Sequence, residues 1–276
     1  MVFHIVGRAR VPHQPFSNEA VTRRFWHWTK AAFGETTHAF IVMPEHFHWS
    51  GSAPDAAVAA LQRERFAKML RRLSQEFRFA PRIWGELPPA EQVLVRQKQL
   101  RTLRYIYLNP CRRGLASDPL EWKWSTYREL LGAAVDPWVP RDRVFRACGW
   151  KSDLRTFHRY VSSDPSARVD GTRMPVPAPG KIGGDPSLGL AELSQAALAA
   201  CRGGGEAEWS KCREVRDLFI HLAREQGWRD TGVLARRTGV TRQTVRNIWR
   251  ASVSPQAIRA ALLCLGDQRL LRGKLQ

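Results

Sequence analysis

Apolar residues in the first half of the chain follow two periods, and each period predicts one type of element. Residues 2–8 and 37–49 are rich in β-branched and aromatic side chains and predict strands. Apolar positions at helical spacing predict three helices, at residues 19–33, Ala56–Phe77 and Pro89–Leu108. We expect Asn109 and Pro110 to end the third helix, because proline disfavours its continuation. Strands interleaved with helices are typical of a layered α+β fold.

The second half of the chain has a different pattern. Residues 162–205 are dense in proline, glycine and serine and predict a linker, in which Leu188–Ala200 forms a short helix. Residues 206–276 again show helical spacing. We therefore expect an α+β domain at residues 1–161 and an all-α domain at residues 206–276, a division that suits a chain of this length.

Charge narrows the class of partner. The 276 residues include 44 lysines and arginines against 25 aspartates and glutamates, a formal net charge of +19. Such a charge favours a nucleic acid or an anionic membrane surface. No apolar stretch approaches the roughly 20 residues of a spanning helix, and the first residues lack the features of a signal peptide. We therefore expect a cytoplasmic protein that binds nucleic acid and no membrane.

The five cysteines are odd in number and widely spaced, and no two of them form a C-x-x-C pair. This pattern predicts reduced thiols, with neither a zinc site nor a disulfide framework. Candidate chemistry therefore has to come from other side chains.

His46 and His48 are the first candidates. They lie two residues apart in a predicted strand, so both side chains leave the sheet on the same face, while Phe47 and Trp49 take the core-facing phase. Two neighbouring imidazoles can hold Mg²⁺ or Mn²⁺ if one further oxygen or nitrogen ligand joins them. Alternatively, they are polar residues on the solvent side of an edge strand that begins near Pro44.

A tyrosine on the third predicted helix is the second candidate. Leu103 and Tyr107 belong to an apolar stripe, whereas Arg101, Tyr105 and Asn109 are spaced i, i+4, i+8 on the opposite side. Tyr107 is therefore expected in the core. Tyr105 shares its side with a guanidinium that can bind phosphate and an amide oxygen that can ligate a metal, which suits phosphodiester cleavage. Alternatively, Tyr105 is an ordinary surface aromatic and Asn109 merely ends the helix.

The C-terminal domain carries a pattern that fits a helix-turn-helix. Ala235 suits the tight helix crossing, Gly239 the turn, Thr241 the cap of the second helix and Val245 a buried contact. Four side chains are then expected to face a DNA groove: Arg242, Gln243, Arg246 and Asn247. The alternative is a small helical bundle with an exposed basic face.

Four sequence motifs follow one another between residues 2 and 132. They read FHIVGRARVPHQPF, IVMPEHFHW, YIYLNPCRRGL and EWKWSTYRELLG. In order and spacing they resemble the motifs Y-H-V-x-x-R-G-x-x-x-x-x-I-F, V-M-P-N-H-V-H, Y-I-H-x-N-P-V-R-x-G-L and W-x-W-S-S-Y of the REP-associated tyrosine transposases. These are single-tyrosine transposases of the HUH class.

The resemblance implies a ferredoxin-like antiparallel sheet with packed helices, an HUH nuclease domain in which the His-x-His strand is central. By position it implies that Tyr105 is the nucleophile, that His46 and His48 bind the metal, and that Asn109 is the third ligand. It also implies an endonuclease that nicks and rejoins single-stranded DNA at hairpin repeats through a 5′-phosphotyrosine bond, with Mg²⁺ or Mn²⁺ and no small-molecule cofactor. Single-stranded and hairpin DNA are the expected partners, and both monomer and homodimer stay open.

The chain departs from the family pattern at two positions of these motifs. Glu45 stands where the family has asparagine, and Tyr107 where it has histidine. The segment RIWGELPPAEQ also replaces a stretch that is usually basic. Two other classes of function stay open, a transposase-derived DNA-binding protein that no longer cleaves and an RNA-binding module on a similar sheet. The aromatic-glycine signature of RNA-recognition sheets is missing, which disfavours the latter.

Tryptophans near these motifs offer flat rings on which unpaired bases can stack. Trp122 and Trp124 alternate in a W-x-W pattern, which places both on one buried face. Trp26 and Trp28 are two further candidates. Of these four tryptophans, we expect at most one to contact DNA.

Overall fold

The computed structural model describes residues 1–171, 173–174, 188–202 and 212–271. These residues form two compact units. Unit 1 contains Met1–Leu130 and the described part of Trp138–Met174, and unit 2 contains Leu131–Pro137 and the described part of Pro175–Gly273. The chain therefore leaves unit 1 for seven residues, returns to it, and enters unit 2 a second time.

Unit 1 is built on a four-stranded antiparallel sheet with packed helices, which confirms the predicted α+β class. In chain order the strands are β1 (Val2–Arg8), β2 (Thr37–Val42), β3 (His46–Ser52) and β4 (Glu91–Gln92). Their order across the sheet is β2-β3-β1-β4, and each neighbouring pair is antiparallel. The strand that carries His46 and His48 is paired on both sides, so it is central, as expected.

Six α-helices lie in the described part of unit 1: α1 (Glu19–Phe33), α2 (Ala56–Glu76), α3 (Arg96–Arg112), α4 (Tyr127–Leu130), α5 (Arg141–Cys148) and α6 (Leu154–Ser162). The side chains of Asn18 and Asp55 accept hydrogen bonds from the first backbone N–H groups of α1 and α2. These caps satisfy donors that a helix start leaves unpaired, and both helices begin where the sequence predicts.

The two faces of the sheet differ because side chains alternate along β3. Phe47 and Trp49 point to the face that α1 and α2 cover, and they pack there against Phe66, with Phe25 in contact with Phe47. A Cβ on Gly7 of β1 would lie 2.3 Å from the ring of Phe47, so this close approach requires glycine. The histidines of β3 point to the opposite face, beside α3.

Residues 37–49 form a hairpin, which corrects the prediction of one continuous strand. β2 ends at Val42 and β3 begins at His46, and the backbone N–H of Met43 donates to the carbonyl of His46 at 2.7 Å. Pro44 lies in the connecting turn. Apolar runs on both sides of so short a turn look continuous in the sequence.

The bounds of α3 also differ from the prediction. Residues 89–95 precede the helix, and β4 within them pairs with β1, because the open edge of β1 offers backbone hydrogen bonds. Pro110 lies inside α3, which ends at Arg112, so the expected stop at Asn109 and Pro110 was wrong. Proline removes a single N–H here, in the last turn, and the carbonyl of Asn109 still accepts from Arg113 at 3.1 Å.

The described part of unit 2 is all-α. Its helices are α7 (Leu190–Ala200), α8 (Arg213–Glu225), α9 (Thr231–Thr238), α10 (Arg242–Arg250), α11 (Pro255–Gly266) and α12 (Gln268–Leu271). α7 packs against α8 and α11, so this part of the predicted linker is an element of unit 2. Residues 172, 175–187 and 203–205 of that linker, and residues 206–211 at the start of the predicted all-α domain, lie outside the described residues.

The segment Leu131–Pro137 also packs within unit 2. The N–H of Val135 donates to the carbonyl of Ala200 at 3.1 Å, and Cys264 Sγ donates to the carbonyl of Ala133. All five cysteines are free. Among the residues that the structure covers, we find no helix with the length and apolar character needed to span a bilayer.

Candidate active site

The two histidines of β3 are buried side by side. His46 and His48 are 1% and 3% exposed, and their ring centroids lie 4.9 Å apart. Together with the central position of β3, this burial contradicts the alternative of solvent-facing residues on an edge strand. The Nε2 atoms of both rings are buried and have no hydrogen-bond partner within the described residues. A buried polar atom without a hydrogen-bond partner costs free energy unless a ligand binds it. Such atoms are typical of a ligand site.

Burial also affects the protonation of these rings. It lowers the pKa of His46, although the nearby Glu45 carboxylate acts in the opposite direction. It holds the pKa of His48 well below the usual range, and the neighbouring His4 and His46 act in the same direction. A metal binds only a neutral imidazole nitrogen. Both rings are therefore in the form that a metal ligand needs at neutral pH.

Each ring meets a second side chain at its Nδ1 atom. His48 Nδ1 lies 3.0 Å from Nε2 of His4 in a hydrogen bond, and the two rings stack with centroids 5.2 Å apart. His46 Nδ1 lies 3.1 Å from Oε1 of Glu45, in a polar contact without hydrogen-bond geometry. The same Glu45 oxygen lies 3.1 Å from Arg113. Both Nδ1 atoms thus contact the protein, while both Nε2 atoms stay open.

Tyr105 lies on α3 beside this pair. Its ring meets that of His48 edge-on with centroids 5.5 Å apart, and the residue is 43% exposed. Tyr107 is completely buried, with its hydroxyl 3.3 Å from the carbonyl oxygen of His38 and from Oγ1 of Thr126, and burial raises the pKa of Tyr107. α3 therefore separates the two tyrosines as predicted, one exposed next to the histidines and one in the core.

Asn109, the expected third ligand, is 7% exposed and lies one turn beyond Tyr105 on α3. Its Nδ2 donates to the carbonyl oxygen of Tyr105 at 3.1 Å. This hydrogen bond uses the amide nitrogen. The side-chain oxygen, which is the atom that ligates metals, stays available. No hydrogen bond among the described residues joins the Asn109 side chain to His46 or His48, so its role as a ligand stays a prediction.

Arginines lie close to Tyr105 and the histidines. The guanidinium of Arg112 lies over the Tyr105 ring, 5.1 Å from its centroid, and pairs with Asp164. Arg8 is exposed and lies opposite the first histidine of β3 in the sheet register, so it leaves the same face. Arg101 is exposed one turn before Tyr105. Guanidinium groups in this arrangement can bind the phosphates of a strand that approaches the tyrosine.

The two Nε2 atoms without partners are of the type that binds a divalent metal. Within the described ranges, no three histidine, cysteine, aspartate or glutamate side chains form a group that could hold a metal ion, so a third protein ligand has to be of another type. The oxygen of Asn109 is such a group. Mg²⁺ usually keeps several water ligands and needs few from the protein, and the set of His46, His48 and Asn109 stays a prediction.

The residues predicted to face a DNA groove lie on α10 in unit 2. Residues 239–241 join α9 to α10, and Gly239 has φ +69°, a left-handed conformation that favours glycine. The hydroxyl of Thr241 caps α10 by accepting from the N–H of Thr244, and Val245 is buried, as predicted. The four candidates on this helix are exposed: Arg242, Gln243, Arg246 and Asn247.

The tryptophans behave as the sequence indicates. Trp26, Trp122 and Trp124 are buried. Trp28 is half-buried, and the guanidinium of Arg72 lies 4.6 Å from its ring centroid. Of the four, only Trp28 keeps a partly accessible ring.

Comparisons with protein-family models, with curated proteins and with solved structures found no match. The resemblance to the tyrosine transposases therefore depends on the four sequence motifs. The functional argument depends on the residues gathered on the histidine face of unit 1 and on those exposed along α10.

The sequence interpretation did not assign roles to three residues near this site. His4 and Arg8 occupy the histidine and arginine positions of the FHIVGR motif, which is the signal that could have found them. Their contacts depend on the register between β1 and β3, which the sequence does not give. Glu45 was recognised as a departure from the family, but its contact with His46 was not.

Proposed function

We propose that this chain is a metal-dependent nuclease and strand transferase that nicks and rejoins single-stranded DNA at hairpin repeats, like the REP-associated tyrosine transposases. The observation that carries the proposal is the position of Tyr105. Its accessible ring contacts His48, whose buried Nε2 has no partner among the described residues. A partly exposed tyrosine thus lies beside two buried imidazoles whose Nε2 atoms have no partner among the described residues.

In the proposed reaction the phenolic oxygen of Tyr105 attacks the scissile phosphorus. The bond from tyrosine oxygen to phosphorus forms while the bond from phosphorus to the 3′ oxygen breaks. Tyrosine loses one proton and the departing 3′ oxygen takes up one, so the step needs no oxidant, reductant or nucleotide cofactor. It leaves a 5′-phosphotyrosine and a free 3′-hydroxyl. The phosphotyrosine link conserves the free energy of the broken phosphodiester bond. Another 3′-hydroxyl can therefore reverse the step and join two strands.

A bound Mg²⁺ or Mn²⁺ supplies charge neutralisation at the scissile phosphate, and His46, His48 and Asn109 are the residues that would hold it. The arginines have separate tasks. Arg112 fixes the Tyr105 ring from one side through its cation–π contact. Arg8 and Arg101 bind neighbouring phosphates and orient the strand for in-line attack.

Unit 2 supplies recognition in this proposal. The exposed residues of α10 suit the major groove of a duplex, where arginine reads guanine, and asparagine and glutamine read adenine. A hairpin stem offers such a duplex next to an unpaired flank. The net charge of +19 favours either form of DNA through its phosphates.

The test is a nicking assay with labelled single-stranded hairpins from the repeats that flank the gene, with Mn²⁺ or Mg²⁺. Wild type is compared with Tyr105→Phe and with Tyr107→Phe, the same chemical change at the buried position of the same helix. We expect a metal-dependent nick and a covalent protein–DNA adduct with wild type and Tyr107→Phe, and neither with Tyr105→Phe. An adduct that persists in Tyr105→Phe would disprove the assignment of the nucleophile.

A second candidate is a transposase-derived protein that binds hairpin DNA without cutting it. Glu45 and Tyr107 stand where the family has asparagine and histidine, and these departures favour the second candidate. Tight hairpin binding with no nick and no adduct, on every substrate and with both metals, would support it over the enzyme.

A further inference from the structure

We infer that His4 is a positioning residue for His48: it determines which ring nitrogen of His48 carries the proton and so keeps Nε2 open for a divalent metal. The inference rests on the proposed function, because it takes His48 as a metal ligand. It goes beyond that function by giving a role to a residue on a different strand that has none in the proposed reaction.

The sheet register brings His4 to this position. Val6 of β1 lies opposite His48 of β3, and His4 lies two residues along the same strand, opposite Ser50. His4 and His48 are therefore diagonal neighbours on one face of the sheet, a spacing within reach of ring side chains. Their rings lie nearly parallel, with an interplanar angle of 17°, and His4 Nε2 is 3.0 Å from His48 Nδ1.

Two neutral arrangements satisfy this hydrogen bond. In the first, His48 Nδ1–H donates to His4 Nε2, which leaves a lone pair on His48 Nε2. In the second, His4 Nε2–H donates to His48 Nδ1, which leaves a proton on His48 Nε2. Only the first arrangement gives a nitrogen that can bind a metal.

The surroundings of His48 Nε2 favour the first arrangement in the metal-bound protein. This atom is buried and lacks a partner within the described residues, so the second arrangement leaves a buried N–H without an acceptor even when a metal is present nearby. In the first arrangement His48 Nε2 donates its lone pair to the metal. Metal-binding histidines generally donate their other ring N–H to a nearby acceptor, which fixes both the tautomer and the ring plane.

His4 acts on His48 in two ways that substitutions can separate. His4→Phe keeps a flat ring that stacks on His48 but removes the acceptor. His4→Gln keeps a side-chain oxygen near the place of Nε2 but removes the ring. If the hydrogen bond is the effective contact, glutamine preserves metal binding and phenylalanine does not.

The experiment measures Mn²⁺ binding to the full-length protein without DNA, from the loss of the electron paramagnetic resonance signal of free Mn²⁺. The proteins are wild type, His4→Phe, His4→Gln, His48→Ala and, as a control, His13→Gln, since His13 is an exposed histidine outside the sheet. We expect His4→Phe to raise the dissociation constant roughly 10- to 100-fold, the usual effect of losing such a partner. His4→Gln and His13→Gln should stay close to wild type.

A second measurement reports the tautomer directly. The ¹⁵N chemical shifts of the His48 ring, assigned by their loss in His48→Ala, should show the proton on Nδ1 in wild type and in His4→Gln. A proton on Nε2 of His48 in wild type loaded with a diamagnetic metal, Mg²⁺, overturns the inference, and this result does not depend on whether the His4 variants fold.

The outcomes separate this inference from the proposed function. If wild type binds Mn²⁺, His48→Ala does not and His4→Phe binds as wild type does, the metal site stands and the role of His4 is wrong. If wild type binds no Mn²⁺, both are wrong. Weaker binding in His4→Gln, whether or not His4→Phe is also weaker, contradicts the inference as well, because a side-chain acceptor without the ring then fails to preserve the site.

Discussion

The candidate residues of the two units lie in opposite surroundings. In unit 1 the presumed ligands His46 and His48 are almost completely buried, whereas the side chains on α10 of unit 2 are exposed. Burial fixes the rotamer and the protonation of a side chain, which chemistry needs, and exposure lets a side chain reach a large partner. The contrast suits the proposed function, in which unit 1 makes bonds and unit 2 recognises DNA. Changes in unit 1 should therefore alter rates, and changes in unit 2 should alter affinity.

The largest effect is expected from replacing both ligand histidines. In the double variant His46→Ala, His48→Ala, nicking should fall to background and Mn²⁺ binding should be lost, because two of three protein ligands are gone. Hairpin affinity without metal should stay within about twofold of wild type, since the proposal places hairpin recognition in unit 2. Nicking and filter-binding assays on the same preparation measure both quantities. Equal losses in rate and in affinity would contradict the separation.

Substitutions on α10 should have the reverse effect. We expect Arg242→Ala and Arg246→Ala each to weaken hairpin binding by about 1–3 kcal/mol, or to reduce the salt dependence by about one counterion if the contact is to phosphate. The nicking rate at saturating DNA should not change. Titration of labelled hairpin at several salt concentrations gives both numbers. Arg159→Ala, an exposed arginine on α6, is the control, and an equal effect there would show that α10 has no special role.

Acid should destabilise unit 1 through its buried imidazoles. Burial lowers the pKa of His38 to about 4, with Arg143 acting in the same direction. In the unfolded chain this pKa is about 6.5, so the unfolded state binds the proton at higher pH. The contribution of neutral His38 to the free energy of unfolding is therefore fully present above about pH 6.5. It is lost as the pH falls towards 4, a decrease on the order of 3 kcal/mol.

Urea unfolding at a series of pH values tests this. The free energy of unfolding of wild type should decline through that range, and His38→Gln should decline less. Hydrogen exchange, corrected for its intrinsic pH dependence, should place the loss in unit 1 peptides. Parallel declines in the two proteins would rule out His38 as the cause.

The smallest effect is expected at Glu45. Glu45→Gln removes the carboxylate charge near His46 Nδ1 but keeps a side-chain oxygen, so the Mn²⁺ dissociation constant should rise by less than about tenfold. This is less than the effect of His4→Phe, because the contact of Glu45 with His46 lacks hydrogen-bond geometry. The same binding titration measures it. A larger effect than that of His4→Phe would reverse the order of importance of the two partners.

Local pattern was sufficient for much of the fold. The bounds of α1 follow from helical spacing and the Asn18 cap, and those of α2 were predicted to within one residue. The errors arose where distant contacts decide. β4 exists because β1 offers an open edge, and α3 continues through Pro110 where the expected stop was placed. The helical residues of the supposed linker pack as α7 against partners more than ten residues away.

The candidate site shows the same division. Alternation along β3 placed His46 and His48 on one face, and helix geometry separated Tyr105 from Tyr107. Neither pattern gives the register between strands, so the contact of His4 with His48 was not predictable from spacing. The proximity of Tyr105 to the histidines was an expectation of the family resemblance, and the structure supplies the distance.

The seven-residue excursion at Leu131–Pro137 limits how this protein can have been assembled by recombination. A gene exchange that replaced everything after residue 174 would leave Ala133 and Ala134, both buried in unit 2, facing a foreign partner or water. The interleaved chain therefore favours inheritance of the two units together. Under the proposed function, changes of DNA target in descendants of this protein are then expected through substitutions on α10, and not through the exchange of whole modules.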